Sequence, residues 1–307
     1  MASQRVAMAE QFRTAMHRAG LEPPSAIIPD GNLHRYYVPG DKPGTLNGWY
    51  VLHSVGATGL FGCWKRGINE FWHLCGDDAI TPGQKATHRA NMEALRKKQT
   101  EERDRLHARC RKQSAGIFCN APPAPPEHPY LQRKGIKPHG VRISGKSLVI
   151  PVAVNGTLTG LQFIRPDGSK QFMAGTEISG GYFCIGTPQV KTVIICEGFA
   201  TGASLHEASG HAVAVAFNAG NLLPVAVALR AKYPEYRLVI CADDDHGNEV
   251  NTGLEKGAEA TRKINGLLVV PTFRDESARG TDFNDLHQAE GLEAVDAVLE
   301  AAGVVHV

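Results

Sequence analysis

The sequence predicts an α/β protein: a small parallel sheet with flanking helices in the C-terminal third, preceded by a basic mixed α/β subdomain and a small β-rich N-terminal domain. Three observations predict it. Beyond residue 190, apolar runs (TVIIC, HAVAVAF, YRLVICA, LLVVP) alternate with helix-forming segments, the pattern of strands covered by helices on both faces. Residues 32–74 hold short aromatic and β-branched runs punctuated by Gly, Pro, Asn and Asp, which reads as antiparallel β structure. Between these regions lies a long, highly charged stretch of strong helix formers.

The chain has 307 residues, enough for two or three domains. It is 42% hydrophobic and 21% charged, without an apolar run of membrane-spanning length or an N-terminal apolar block of the secretory kind. The expectation is a cytoplasmic protein with no membrane partner. Seven cysteines form no dense framework, and Cys196 and Cys241 sit in apolar runs, so disulfides are not expected. The formal net charge of +2 conceals an asymmetry: residues 1–189 carry a net +10 and residues 190–307 a net −8. A basic front and an acidic back suit an anionic partner and a divalent cation respectively.

The elements follow in order. Residues 1–20 read as a short helix closed by Gly20. The β-rich domain, 1–80 with that helix, holds all three tryptophans, Trp49, Trp64 and Trp72. A charged linker helix over 81–120 opens with Thr81 as cap and Pro82 in the first turn. Between Gln84 and Ser114 it has 10 Lys and Arg, 4 Asp and Glu, and only Met92, Leu95 and Leu106 as large apolar residues, so it reads as mostly solvated. APPAPPEHP at 121–129 ends it. The basic subdomain, 127–190, contains the runs SLVIPVAV, LTGLQFI and KQFMAG, with Asn155-Gly156 and Asp167-Gly168 as turn signals. In the last domain, 191–307, helices are expected near 200–209, 221–231, 252–265 and 288–302.

Two of the parallel strands end in acids: VIICEGFATG delivers Glu197, and LVICADDD delivers Asp243 and Asp245. Ligands bind at the carboxyl ends of such strands. Alternation of side chains lets Asp243 and Asp245 converge while Asp244 points elsewhere. If the two strands are neighbours, three carboxylates share a pocket, a set of hard oxygen donors suited to Mg²⁺ or Mn²⁺. GTDFNDL adds Asp282 and Asp285, read either as further ligands or as a helix-capping pair.

A strand ending in Glu-Gly, a later strand ending in Asp-x-Asp and a downstream acidic pair resemble the Toprim domain over about 191–290. HPYLQRKGI, LQFIRPDGSKQFMAG, GYFCIG, CEGFATGASLHEASG, VAFNAGNL and GTDFNDL resemble the Toprim primases of conjugative plasmids and prophages. The resemblance implies a DNA primase: short RNA primers made on a single-stranded DNA template from nucleoside triphosphates, with Mg²⁺ or Mn²⁺ and a separate replicative helicase as partner. It implies catalytic and metal-binding roles for Glu197, Asp243 and Asp245, with Glu197 binding metal or accepting the hydroxyl proton, and metal-ligand roles for Asp282 and Asp285. Arg133, Lys134, Arg142, Lys146, Arg165 and Lys170 are the candidates for nucleic-acid or nucleotide phosphates; Arg165 and Lys170 match basic positions of the primase ridge.

The chain also departs from that family. Cys63, His73 and Cys75 do not have the spacing of a zinc ribbon, so zinc is not expected. A second ridge lysine is missing near Ser179–Gly180, and no P-loop is present. Aromatic and basic residues of the N-terminal domain (Tyr36, Tyr37, Trp49, Trp64, Phe71, Trp72, His34, Arg35, Lys65, Arg66) suit either core packing or a platform for single-stranded DNA. The competing functions are a Toprim nuclease using the same acids and a non-catalytic single-strand-binding accessory protein.

Overall fold

The computed structural model describes the chain apart from residues 1, 55–56, 75–81, 247–250 and 276–279 and the side chains of residues 2–5, 82–96 and 98–99. The proposed cap Thr81 and Cys75 lie outside the described residues. Two compact units are present, residues 1–97 and 98–307.

In the first unit, helix α1 (Ala2–Arg18) covers one face of an antiparallel sheet of β1 (His34–Tyr36), β2 (Gly48–His53), β3 (Thr58–Cys63) and β4 (Ile68–His73), ordered 1-2-3-4. Met8, Phe12 and Met16 of α1 are buried against Tyr36, Tyr50, Leu52 and Phe61. The Phe12 ring meets Tyr50, Phe61 and Trp72 edge-on at 5.3–6.0 Å, so these aromatics build the core. Trp64 does not. It is 50% exposed, stacks on Trp49 at 5.8 Å and carries the Arg35 guanidinium over its ring. Arg35 is fixed there by donating to the Leu46 carbonyl.

Helix α2 (Pro82–Asn120) begins at the proline, as expected, and runs 39 residues. Its last turns are not solvated throughout: Cys110 and Ser114 are buried against Thr176 and Met173. A short helix α3 (Pro129–Lys134) follows, then an antiparallel sheet of β5 (Arg142–Ser144), β6 (Ser147–Val154), β7 (Thr157–Ile164) and β8 (Lys170–Phe172). The β6–β7 hairpin turns at Asn155 and Gly156, both with positive φ (49° and 78°), as the sequence signal requires.

The second sheet of this unit has the order β13-β12-β10-β11-β9. Strands β10 (Thr192–Cys196), β11 (Ala212–Val215), β12 (Arg237–Cys241) and β13 (Leu267–Val269) are parallel, whereas β9 (Phe183–Ile185) joins β11 antiparallel at the edge. β9 precedes residue 190, so the sheet recruits a strand from the segment read as the basic subdomain. Alternate residues divide cleanly between its faces. Val193, Ile195, Leu238 and Ile240 pack under α5 (Leu222–Lys232) and α6 (Thr252–Ile264). Ile194, Cys196, Val239 and Cys241 face α4 (Phe199–Ser209), α7 (Phe283–Glu290) and α8 (Leu292–Ala301). Each fully buried branched side chain contributes roughly 1.5–3 kcal/mol.

One expected element is corrected. The helix read over 288–302 is two, α7 and α8, because Gly291 takes φ +87° and ends the first turn of chain direction there. α7 therefore starts earlier, at Phe283, with Asp282 as its cap. Among the described residues, no helix is long and apolar enough to cross a membrane, and the six cysteines are free.

Helix α4 approaches the sheet closely at Gly202, where a Cβ would stand 2.7 Å from Val215 and 3.1 Å from the Cys196 sulfur. We expect Gly202→Ala to cost about 1–3 kcal/mol in denaturant-induced unfolding; an unchanged midpoint would contradict this packing.

Candidate active site at the carboxyl ends of the parallel strands

β10 and β12 are adjacent and in register, Cys196 opposite Cys241. Glu197 and Asp243 therefore leave neighbouring strand ends one and two residues later. Each is half-buried, and each has a buried oxygen, Glu197 Oε1 and Asp243 Oδ1, with no hydrogen-bond partner. Burial, then the charge of Asp245, pushes the Glu197 carboxyl up to about 7, although the Ala219 N–H donates to it. Burial, then Glu197, Asp282 and Asp245, pushes Asp243 up to about 8. Asp282 is raised as well, by burial and by Asp285. These acids thus repel one another across a poorly solvated space.

Asp244 is turned away, as alternation predicts. Its carboxylate accepts from Asn251 Nδ2 at 2.6 Å, and its N–H donates to the Thr281 carbonyl at 2.7 Å. The same Asn251 accepts from the backbone N–H of Asp245 and caps α6 through the Leu254 N–H. This one side chain ties the acidic loop to the first turn of the following helix. Sequence reading missed it; the only local signal is an Asn preceding a helix-forming segment.

Asp282 and Asp285 form the capping pair. Asp282 accepts from the Asp285 N–H at 2.8 Å, which caps the helix, and Asp285 accepts from the N–H of Thr281, the residue before the cap, at 3.0 Å. Asp285 is also 3.7 Å from Lys134 Nζ. Asp282 faces the other carboxylates; Asp285 is already committed to a backbone donor and a lysine.

The six basic candidates separate. Lys170 is exposed as a residue, yet its ammonium reaches the acids: a Cβ on Gly198 would stand 3.8 Å from its Nζ. Desolvation lowers its pKa although Asp282 and Asp243 pull it upward, and Lys134 lies close enough to disfavour its charge. Arg133 and Arg165 are exposed around the Asp167 turn: Arg133 donates to the Pro166 carbonyl, and Arg165 to Ser169 and Gln171. Lys146 is in the exposed turn between β5 and β6. Arg142 is engaged within the protein. Its guanidinium donates to the carbonyls of Phe118, Cys119 and Ala121 and lies over the Phe118 ring, so it caps the end of α2.

Sequence reading also missed the buried network that seats Lys134 and α7. Asn284 Nδ2 donates to the Lys134 carbonyl and to Ser204 Oγ, and Ser204 Oγ shares a hydrogen bond of 2.9 Å with Nδ1 of His287, whose imidazole pKa is lowered by burial.

The donors present fit a hard divalent cation: carboxylate oxygens, two of them buried and unpartnered, with pKa values raised first by burial and then by neighbouring acids. Among the described residues no three of these side chains close into a direct cage, so an ion there would keep much of its water shell, as Mg²⁺ commonly does.

With this geometry in place, comparison with known proteins gives its class. Residues 192–293 match the family model of the Toprim domain, so the chain carries a Toprim domain in its C-terminal third. Two curated relatives, both DNA primase TraC of Escherichia coli, are 32% identical over 259 residues (80% of this chain, 24% of the relative) and 33% identical over 284 residues (86% and 19%). The chain spans about a quarter or a fifth of these relatives. The primase fragment of the bacteriophage T7 primase-helicase protein superposes with a TM-score of 0.41 at 13% identity, covering 56% of this chain and 73% of that one.

Asp243 gives a pH-dependent expectation. Its folded-state pKa of about 8 lies above the ordinary 3.8, so the native state holds a proton that the unfolded chain releases. The associated stability is complete below pH 4 and is lost as pH rises to 8. In metal-free buffer, Asp243→Asn is expected to raise the thermal midpoint at pH 8 and leave it nearly unchanged at pH 4. Equal shifts at both values would show that the Asp243 carboxyl is not raised in the folded protein.

Proposed function

We propose that the chain is the catalytic core of a DNA primase of the plasmid type, joining nucleoside triphosphates into short RNA primers on single-stranded DNA. The observation that carries this reading is the pair of unpartnered buried oxygens of Glu197 and Asp243 on adjacent, in-register strand ends, beside the Lys170 ammonium. The relatives' designation as DNA primases points the same way.

Asp243, Asp245 and Asp282 would hold Mg²⁺ or Mn²⁺, which when bound would neutralise charge building on the transferred phosphoryl group and on the departing pyrophosphate. Asp285 would act by ordering the start of α7 and holding Lys134. Glu197, with a pKa of about 7, is matched to accept the proton of the attacking 3′-hydroxyl near neutral pH. Lys170 and Lys134 would fix the triphosphate; Arg133 and Arg165, exposed on the approach, would meet the nucleic-acid backbone, making binding salt-dependent. The Trp49–Trp64–Arg35 stack suits unpaired bases. In the cell the protein would act in the cytoplasm with a separate helicase.

Incubation with single-stranded DNA, labelled NTPs and Mg²⁺ or Mn²⁺ tests this. Labelled oligomers are expected. Shortened DNA would indicate a nuclease, and DNA retention without turnover a binding protein. Glu197→Gln and Asp243→Asn should each lower synthesis by at least about 100-fold while the far-ultraviolet circular dichroism is retained; wild-type synthesis by either variant refutes the assignment. Since the ligands must be deprotonated, Mn²⁺ affinity measured by calorimetry should rise between pH 6 and pH 8.5; a flat profile would exclude the raised carboxylates as ligands.

A further inference from the structure

Phe217 follows β11 by two residues and takes φ +73°, a conformation that is an outlier for a bulky side chain. The surrounding structure forces it. The Ala216 N–H donates to the Cys196 carbonyl at 2.8 Å. Buried Asn221 donates to the carbonyls of Ala216 and Gly181 and accepts from the Gly180 N–H, each at 2.8 Å. Asn218 accepts from the Asn221 N–H at 3.0 Å. A loop bolted at both ends thus holds an aromatic residue where glycine would sit without strain, and such outliers cluster at ligand sites.

The Phe217 ring meets Phe172 edge-to-face, with centroids 5.7 Å apart at 76°. Both side chains are half-buried, so each keeps an open surface. Phe172 lies two residues beyond Lys170 on β8 and projects to the same side, about 7 Å along the strand. The Lys170 ammonium reaches Gly198, next to Glu197, and the N–H of Ala219, two residues beyond Phe217, donates to Glu197. Each aromatic is therefore two residues from a group that touches the acid–lysine site, Phe172 from Lys170 and Phe217 from Ala219, and the roughly 7 Å step along β8 is of the order of one ribose unit.

We propose that Phe217, braced by Phe172, is the stacking surface for the base of the nucleoside triphosphate whose phosphates lie at Lys170. This rests on the polymerase reading above and adds to it the seat of the base. A stacked ring recognises the π-face common to all bases, which suits an enzyme whose base choice is made by the template. It also accounts for an aromatic at a strained position where leucine would fill the same space.

The test compares ATP with ribose 5′-triphosphate, which lacks the base, on the full chain. Direct binding is measured by calorimetry with Mg²⁺, and synthesis is assayed separately. Phe217→Leu is expected to weaken ATP binding and raise the KM for NTP by roughly 5- to 100-fold, with kcat within about threefold and ribose 5′-triphosphate binding unchanged. Phe217→Trp should restore ATP affinity. Phe172→Leu, which leaves the strained loop untouched, should weaken ATP selectively by a smaller factor. Wild-type ATP affinity in Phe217→Leu, or equal weakening of both ligands, overturns the proposal. If Phe217→Leu fails to fold, judged by circular dichroism, wild-type ATP selectivity in Phe172→Leu overturns it. Synthesis by the wild type with no effect of either substitution removes the base seat alone. Base-dependent ATP binding without synthesis removes the polymerase reading alone.

Discussion

The structure depends on one constraint: the parallel, in-register pairing of β10 with β12, which brings Glu197 beside Asp243. Two largely apolar strands deliver two acids to the same end of the sheet, and an oxygen of each is left buried and unpartnered. Like charges at close range in a poorly solvated space raise one another's pKa, and here both carboxyls titrate near or above neutrality. A fold selected for stability alone would have no use for this repulsion. A site that receives a divalent cation has one, since the cation relieves it.

Around this centre, neutral side chains hold the geometry. Asn251 ties the acidic loop to α6, Asn221 clamps the loop after β11, and Asn284 joins α7 to the Lys134 carbonyl and Ser204. Each amide satisfies several backbone or side-chain groups without adding charge to a place already crowded with it. Asp282 and Asp285 show the same economy: helix capping and electrostatics are carried by one pair of residues.

Much of this was legible in the sequence, for identifiable reasons. The four parallel strands are largely apolar runs, and the acids at the ends of two of them mark the candidate ligand-binding edge. The Asn155-Gly156 hairpin and the start of α2 at Pro82 follow from local backbone preference. What was not legible depends on long-range packing. Nothing near Arg142 announces that its guanidinium will cap a helix ending more than twenty residues earlier. The split at Gly291 is a single glycine inside an otherwise helical pattern. The asparagine clamps have partners up to 150 residues away. Phe217 carries no sequence signal, because a strained φ is imposed by the hydrogen bonds around it.

The central claim is that burial and neighbouring negative charge disfavour ionisation of Glu197 and Asp243 in metal-free protein and that a divalent ion relieves this. Side-chain carboxyl carbon NMR of Asp and Glu, titrated from pH 4 to 9 with and without Mg²⁺, tests it most directly. The account predicts two carboxyls with midpoints near 7 and 8 in metal-free protein, the higher falling by about two units when Mg²⁺ is present and the lower by less. Midpoints near 4 for both groups, unmoved by Mg²⁺, would contradict it.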